Sequence, residues 1–271
     1  MRLRLLALVL VITAAALGAD RLLAGPDMHG AREVRFTVHS KLVPGRSFEE
    51  VAVVPAGDAA GRPLLVFLHG RGGHPGDFFS GEFYAALAQL GARAPIVVQL
   101  DGGNHSYWHD RRGGRWGGYV LREAIPAAVR ALGADPHRIA IGGISMGGFG
   151  AFDLARREHF CAVGGHSPAF WLSAGATAPG AFDDAADFGR HDVYAFVRGR
   201  RKPFGNVPLW IDHGDRDPFS SADAQIVRAL RSDGATLTSH VWKGAHETAY
   251  WRAHTASYLR FYAGALARCG H

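Results

Sequence analysis

The sequence predicts an α/β fold in which a mostly parallel, doubly wound sheet carries helices on both faces. Two observations support this prediction: short apolar runs alternate with segments of helical apolar spacing, and a serine between glycines separates one such run from the next helical segment. Alternation of strand and helix is what a doubly wound sheet requires. The chain has 271 residues, of which 48% are hydrophobic, so it is long enough for one domain with a large core.

Eight strands are predicted from short apolar or alternating runs that end at turn residues. They span residues 33–39, 49–54, 64–69, 96–100, 139–142, 162–165, 209–212 and 237–242. Five segments with apolar residues at helical spacing are predicted to be helices. They span residues 82–90, 122–132, 148–157, 222–232 and 250–266.

The N-terminal residues 1–25 are predicted to be a signal peptide or an N-terminal anchor, and residues 26–271 the folded domain. Two arginines precede an apolar run of about 15 residues, which is shorter than the roughly 20 that span a bilayer. The short run favours a cleaved signal, but the matches to a cleavage site are imperfect, so an uncleaved anchor is the alternative. We therefore expect a secreted or cell-envelope protein that touches a membrane only through such an anchor.

Ser145 is the candidate nucleophile. It is the centre of a Gly-x-Ser-x-Gly pattern, residues 143–147, that follows a predicted strand and precedes a helix of small residues. On a tight turn of this kind only small neighbours fit, so the hydroxyl projects above the sheet edge and the helix N-terminus favours developing negative charge.

An acid and a histidine follow later strands, in the chain order that such an elbow requires. Asp215 and Asp217 both follow the strand 209–212, and His246 comes after the strand 237–242. His246 is preferred as the base because His240 lies inside a strand and His254 inside the last helix. A serine hydroxyl needs such a base, and the base needs a carboxylate to fix its tautomer.

Six segments spread over most of the folded domain strengthen this interpretation. They are residues 68–73, 101–103 with 106–108, 143–151, 166–171, 214–219, and 244–246 with 250–251. In these segments the chain resembles the α/β-hydrolase esterases, a family that includes S-formylglutathione hydrolase (esterase D), feruloyl and acetyl-xylan esterases, siderophore-lactone esterases and the mycolyltransferases. The resemblance implies an α/β-hydrolase fold, and the family's Gly-x-x-Asp spacing from Gly214 selects Asp217 over Asp215 as the acid.

The resemblance also implies where the remaining parts of the site lie. Met146 supplies one amide of the oxyanion hole by its position after Ser145. The loop after the third strand supplies the second, with Arg71 as the first choice and Gly70 or Gly72 as alternatives. Residues 173–206, which follow the sixth strand without a clean period, are interpreted as a cap over the active site; a surface excursion with its own apolar core is the alternative. Three aromatic residues that follow strand ends are expected to contact substrate, with packing beneath the cap as the alternative: Tyr107, Trp108 and Trp171.

Composition excludes some other functions. The formal net charge is +6, but the basic residues are scattered, so a solvated basic face is expected and nucleic acid is not an expected partner. The 15 histidines show no zinc-ligand spacing, so no metal or other cofactor is expected. Cys161 and Cys269 are consistent with either a disulfide or two buried thiols.

The sequence thus predicts an exported serine esterase that works through an acyl-enzyme on Ser145. Its expected substrates are small-molecule or glycan esters, with a short acyl or aryl group on a polar alcohol or sugar. An acyltransferase of the cell envelope, similar to the mycolyltransferases, and a non-catalytic binding protein are the alternatives. Nothing in the sequence indicates the oligomeric state.

Overall fold

An eight-stranded sheet forms the centre of the computed structural model, which describes residues 25–270. The predicted N-terminal signal or anchor lies outside the described residues, apart from its last position. The strands are β1 (Arg32–His39), β2 (Ser47–Val54), β3 (Leu64–Leu68), β4 (Ile96–Gln99), β5 (Ile139–Ile144), β6 (Val163–His166), β7 (Leu209–Gly214) and β8 (Leu237–Trp242).

The strands lie in the order β1-β2-β4-β3-β5-β6-β7-β8. β1 and β2 are antiparallel, as are β2 and β4, whereas all pairs from β4 through β8 are parallel. All five residues of β3 are fully buried, as expected of a central strand covered on both faces. The predicted fold class, a mostly parallel doubly wound sheet, is confirmed.

Eight α-helices are present in the described part of the chain. They are α1 (Gly81–Gln89), α2 (Trp116–Tyr119), α3 (Ile125–Leu132), α4 (Met146–Leu154), α5 (Ala185–His191), α6 (Val193–Arg198), α7 (Ser220–Ser232) and α8 (Thr248–Leu266). A π-helical turn, Val120–Ala124, joins α2 to α3. Each of the five predicted helices is present. α4, α7 and α8 start two residues earlier than predicted, and the helical segment predicted from residue 122 starts six residues earlier, at α2.

Two apolar cores form on opposite faces of the sheet. In the first core, side chains of α1 and α8 pack against the strand residues that point to one face of the sheet. In the second core, side chains of α3, α4 and α7 pack against the strand residues that point to the opposite face. None of the helices in residues 25–270 combines the length and the apolar character needed to cross a membrane.

The segment predicted as a cap, residues 173–206, contains a 3₁₀ turn, α5 and α6. Its aromatic rings pack on the helix that follows the elbow: Phe182 lies 5.6 Å from Phe149, and Phe204 lies 5.5 Å from Phe152. The segment therefore extends the core beside α4, and both contacts belong to the apolar cluster on that face of the sheet.

Cys161 and Cys269 form a disulfide, with Cα atoms 5.6 Å apart. Cys161 lies just before β6, and Cys269 follows α8. The bond therefore ties the end of the last helix to the centre of the sheet, and the two-thiol alternative does not apply.

Candidate active site

Ser145 lies on a sharp turn between β5 and α4, with φ 54° and ψ −113°. Its amide donates to the His166 carbonyl at 3.0 Å, and its own carbonyl accepts from Phe149 and Ala169, also at 3.0 Å. A Cβ at Gly143 or Gly147 would collide with the Leu68 carbonyl. The two glycines of the motif are therefore required by close backbone packing, and the turn presents the serine side chain at the carboxyl end of the sheet.

The structure brings Ser145, His246 and Asp217 together in one hydrogen-bonded line. His246 Nε2 lies 2.8 Å from Ser145 Oγ, and His246 Nδ1 lies 2.9 Å from Asp217 Oδ2. In this arrangement Nδ1–H donates to the carboxylate, which leaves Nε2 free to accept the serine proton. The three residues are separated along the chain but follow β5, β7 and β8, whose carboxyl ends lie at one edge of the sheet.

Asp217 is suited to hold His246 in this orientation because it is ionised and nearly inaccessible to water, at 3% exposed. Burial by itself raises the pKa of Asp217, but hydrogen bonds from His246 and from the Phe219 amide outweigh it, so the pKa lies below its ordinary value. The Phe219 amide donates to Oδ1 at 2.9 Å. One carboxylate oxygen is thus fixed by the backbone and the other by the imidazole.

The competing residues lie elsewhere. Asp215 is exposed, and its Oδ1 accepts from the Gly244 amide at 2.9 Å, so it fixes the turn that leads to His246. His240 and His254 stack on the Trp242 ring, with centroids 4.4 and 3.9 Å away.

The loop after β3 lies beside the serine. An added Cβ at Gly70 would lie 3.5 Å from Ser145 Cβ, so the backbone at Gly70 and Arg71 borders the space in front of the hydroxyl. His69 is 2% exposed and supports this loop: its Nε2 accepts from the Gly102 amide at 3.0 Å. Arg71 follows Gly70 in this loop and Met146 is the first residue of α4, and their predicted role as oxyanion donors stays a prediction.

A cavity of about 510 Å³ opens in front of the triad. Aromatic rings form much of its wall, and Arg71 and Arg252 are exposed at its rim. Phe219 and Trp251 flank the imidazole, with centroids 5.2 and 5.1 Å from His246. Other bordering residues are Phe78, Gln99, Tyr107, Ile144, Ala178 and Thr248.

Of the three aromatic residues expected to contact substrate, Tyr107 borders the cavity and Trp108 and Trp171 do not. The expectation for these two requires correction. Trp108 is fully buried, and its indole nitrogen donates to the His69 carbonyl at 3.3 Å, so it supports the β3 loop from below. Trp171 lies behind the wall, 5.3 Å from the ring of Tyr107 and 5.7 Å from that of Phe219.

Tyr107 and Trp108 lie together on a left-handed turn. Both have positive φ, 49° and 61°, so the chain turns in a left-handed manner there instead of running on as a strand. Sequence reasoning also missed Phe78, Phe219 and Trp251 as cavity residues. Phe219 and Trp251 could have been found by their positions, two residues after Asp217 and five residues after His246.

A buried network beneath the site was also missed. Asp212, on β7, accepts hydrogen bonds from Tyr250 and Tyr258 of α8 at 2.8 and 2.9 Å, and pairs with His166 of β6 at 2.8 Å. The Trp210 indole is a further donor, at 2.6 Å. The network links β6, β7 and α8, and the His166 carbonyl in turn holds the Ser145 amide.

Comparison with known proteins identifies the family. The sequence profile of the family described as "Putative esterase" matches residues 50–262. An acetyl esterase of Caldicellulosiruptor saccharolyticus is 23% identical over 223 residues, which are 74% of this chain and 83% of that protein.

Solved structures share the fold. A ferulic acid esterase superposes with a TM-score of 0.77 at 20% identity, covering 87% of this chain and 98% of that one. An S-formylglutathione hydrolase from Agrobacterium tumefaciens gives 0.74 at 18% identity, covering 90% and 99%.

The family profile match includes the elbow and the strands that carry the acid and the base. The matches agree with the resemblance that the motifs predicted. The chain therefore belongs to this esterase family, and it is a carboxylic ester hydrolase with the α/β-hydrolase fold.

Proposed function

We propose that the protein is an exported serine esterase that forms an acyl-enzyme on Ser145. The observation that carries this proposal is the position of His246 between Ser145 Oγ and Asp217 Oδ2, at 2.8 and 2.9 Å. The apolar N-terminal run supports export, with a cleaved signal as the preferred form and an anchor as the alternative.

In the first half of the reaction Ser145 Oγ attacks the ester carbonyl while its proton moves to His246 Nε2. The carbonyl oxygen gains negative charge, and in this proposal the Met146 and Arg71 amides stabilise it. His246 then gives its proton to the leaving alcohol, and the acyl group stays on Ser145. Water repeats the sequence in the second half, and the carboxylic acid leaves.

The cavity supports a short acyl or aryl group on a polar alcohol or sugar as substrate. Phe78, Tyr107 and Trp251 provide apolar surface within a space of about 510 Å³, which accommodates a ring or a few methylenes. Arg71 and Arg252 at the rim provide hydrogen-bond donors and positive charge. A polar or anionic alcohol portion is therefore favoured at the rim, and the acyl portion within.

The test of the acyl-enzyme is Ser145→Ala. We expect kcat to fall by about 10⁴- to 10⁶-fold, because the nucleophile of a cooperating triad is lost. With p-nitrophenyl acetate the parent should release a burst of p-nitrophenol equal to the enzyme concentration, and the variant should release none. Ser232→Ala, at an exposed serine at the end of α7, is the matched control. Activity of Ser145→Ala within about tenfold of the parent would show that another group attacks the ester.

The substrate proposal is tested by a series of esters from acetyl to palmitoyl. We expect kcat/KM to be highest for the short acyl groups, because each added methylene needs matching apolar surface to gain its roughly 0.8 kcal/mol. A steady rise to palmitoyl would contradict the proposal. If an added sugar captured the acyl group faster than water did, the acyltransferase alternative would replace hydrolysis.

A further inference from the structure

Two histidines and an aspartate meet in a buried cluster outside the catalytic cavity. His109 lies in the loop after β4, and Asp187 and His191 lie on α5 of the segment 173–206. One ligand atom from each of the three lies within 4.8 Å of the other two, and all three residues are buried. We name these three residues the His-Asp-His cluster.

The His191 ring is oriented for coordination. Its Nδ1 lies 2.8 Å from Asp153 Oδ2, so Nδ1–H donates to that carboxylate and Nε2 keeps its lone pair. Nε2 in turn faces Asp187 Oδ1 at 3.9 Å. A carboxylate that holds one nitrogen of an imidazole while the other faces a second ligand is the arrangement found around histidines that bind metals.

His109 approaches the same carboxylate from the other side. Its Nε2 lies 3.1 Å from Asp187 Oδ2, and its ring centroid lies 4.5 Å from that of His191. His109 is fully buried, and its Nδ1 has no hydrogen-bond partner among the described residues. Within residues 25–270 this ring is therefore paired through Nε2 alone, the atom that faces Asp187.

Neighbouring charges hold the outer sides of the two carboxylates. Arg190 donates to Asp187 Oδ1 at 2.9 Å, and Arg156 donates to Asp153 Oδ1 at 2.8 Å. The Asp183 amide donates to Asp187 Oδ2 at 2.8 Å. These contacts fix the carboxylates in place, so the ligand atoms are already positioned by the fold.

We propose that the His-Asp-His cluster binds one divalent transition metal ion, with zinc as the preferred ion. Two imidazole nitrogens and one carboxylate oxygen are a ligand set that zinc accepts, whereas calcium and magnesium prefer oxygen ligands. The ion joins α5 to the loop that carries Tyr107 and, through Asp153, to α4. Its role is to fasten the segment 173–206 beside the active site, and it takes no part in the attack on the ester.

The test uses the whole chain, stripped of metal with a chelator and then titrated with Zn²⁺ alone. We expect one tightly bound Zn²⁺ per chain and a rise in Tm on binding. Co²⁺ in place of Zn²⁺ should give visible absorption bands of a low-coordinate site with nitrogen and oxygen ligands. Mg²⁺ and Ca²⁺ at the same concentrations should leave Tm unchanged.

Variants locate the site. His191→Gln and Asp187→Asn should each abolish stoichiometric binding, and Asp153→Asn should weaken it by about 10- to 100-fold because His191 loses its orientation. His159→Gln, at an exposed histidine, is the control and should bind as the parent does. Circular dichroism and labelling of Ser145 by a fluorophosphonate establish that each metal-free variant is folded. Absence of stoichiometric binding in the parent, or unchanged binding in both His191→Gln and Asp187→Asn, would overturn the proposal.

Discussion

At the scale of single residues, the nucleophile is held in a backbone conformation that few residues adopt. A non-glycine residue at positive φ costs of the order of 1–3 kcal/mol, and Ser145, with φ 54°, is kept there by hydrogen bonds from its amide and to its carbonyl. The strain places Oγ in front of the sheet, within reach of His246. The sequence predicted Ser145 as the nucleophile because the Gly-x-Ser-x-Gly pattern between a strand and a helix is typical of this turn.

Asp217 and Asp215 provide a matched pair of aspartates on one turn. Asp217→Asn should lower kcat by about 10⁴-fold, because the amide cannot hold the tautomer in which Nε2 accepts the serine proton. Asp215→Asn should leave kcat within about tenfold of the parent, because its side chain pairs with the Gly244 amide and Arg216, neither of which belongs to the triad. Single-turnover acylation rates measure both. A larger defect in Asp215→Asn would reverse the assignment of the acid.

Residues whose position depends on distant parts of the chain could not be predicted in the same way. Trp108 follows a strand end, as Tyr107 does, but it is fully buried and its indole donates to the His69 carbonyl, whereas Tyr107 borders the cavity. The His-Asp-His cluster has no recognisable spacing, because His109 and Asp187 are 78 positions apart. Only the packing of the segment 173–206 against the β4 loop brings them together.

At the scale of elements, Glu50 joins three parts of the fold. It is fully buried on β2, accepts from the Asp101 amide after β4 at 2.7 Å, and is hydrogen-bonded to Tyr119 of α2. Burial raises the pKa of Glu50 to about 8, and the hydrogen bonds only partly oppose the shift. Glu50 is therefore mostly protonated at neutral pH and links these elements as a neutral group.

This raised pKa makes stability depend on pH. The folded pKa lies above the unfolded value, so the contribution is fully present below the unfolded pKa and is lost as pH rises towards 8. Between about pH 5 and about pH 8 the parent should lose about 3 kcal/mol more of its unfolding free energy than Glu50→Gln, which does not ionise. Urea unfolding at both pH values measures the difference. An identical pH dependence in the two proteins would show that Glu50 does not titrate in this way.

Elements with strong local patterns were predicted well, and the others were not. β8 has the predicted bounds, and the fully apolar β3 differs by one residue. α2 was missed because Gly117 and Gly118 lie within it and remove the helical pattern. α5 and α6 were missed because they are short and are held by aromatic packing with α4 and α7, which the local sequence does not express.

At the scale of the whole molecule, the disulfide closes a loop of 108 residues that includes β6, β7, β8 and four helices. Cys269→Ser should lower the free energy of unfolding by about 2–4 kcal/mol, because the unfolded chain gains the freedom that the cross-link removes. Folded Cys269→Ser should keep the parental kcat, because the bond lies away from the triad. Urea titrations of parent and variant, with reduced parent as a second control, test this. Equal unfolding midpoints would mean that the cross-link adds no stability.

The overall architecture was predicted because every level of the sequence agrees with it. Strand and helix alternate, and the acid and the base follow strands in the order that the elbow requires. What the sequence alone did not supply is the lateral order of the strands, in which β4 lies between β2 and β3. That order depends on pairing between distant segments, which local sequence patterns do not express.

The base of the triad follows the last strand of the chain, and this affects the order in which the triad is completed. His246 is 101 positions after Ser145 and follows β8, which lies at the edge of the sheet. While the chain is being synthesised, the serine is therefore made long before its base, and it stays unreactive until β8 has docked on β7. Assembly of the triad therefore depends on the pairing of the last strand of the sheet, although the nucleophile lies at its centre.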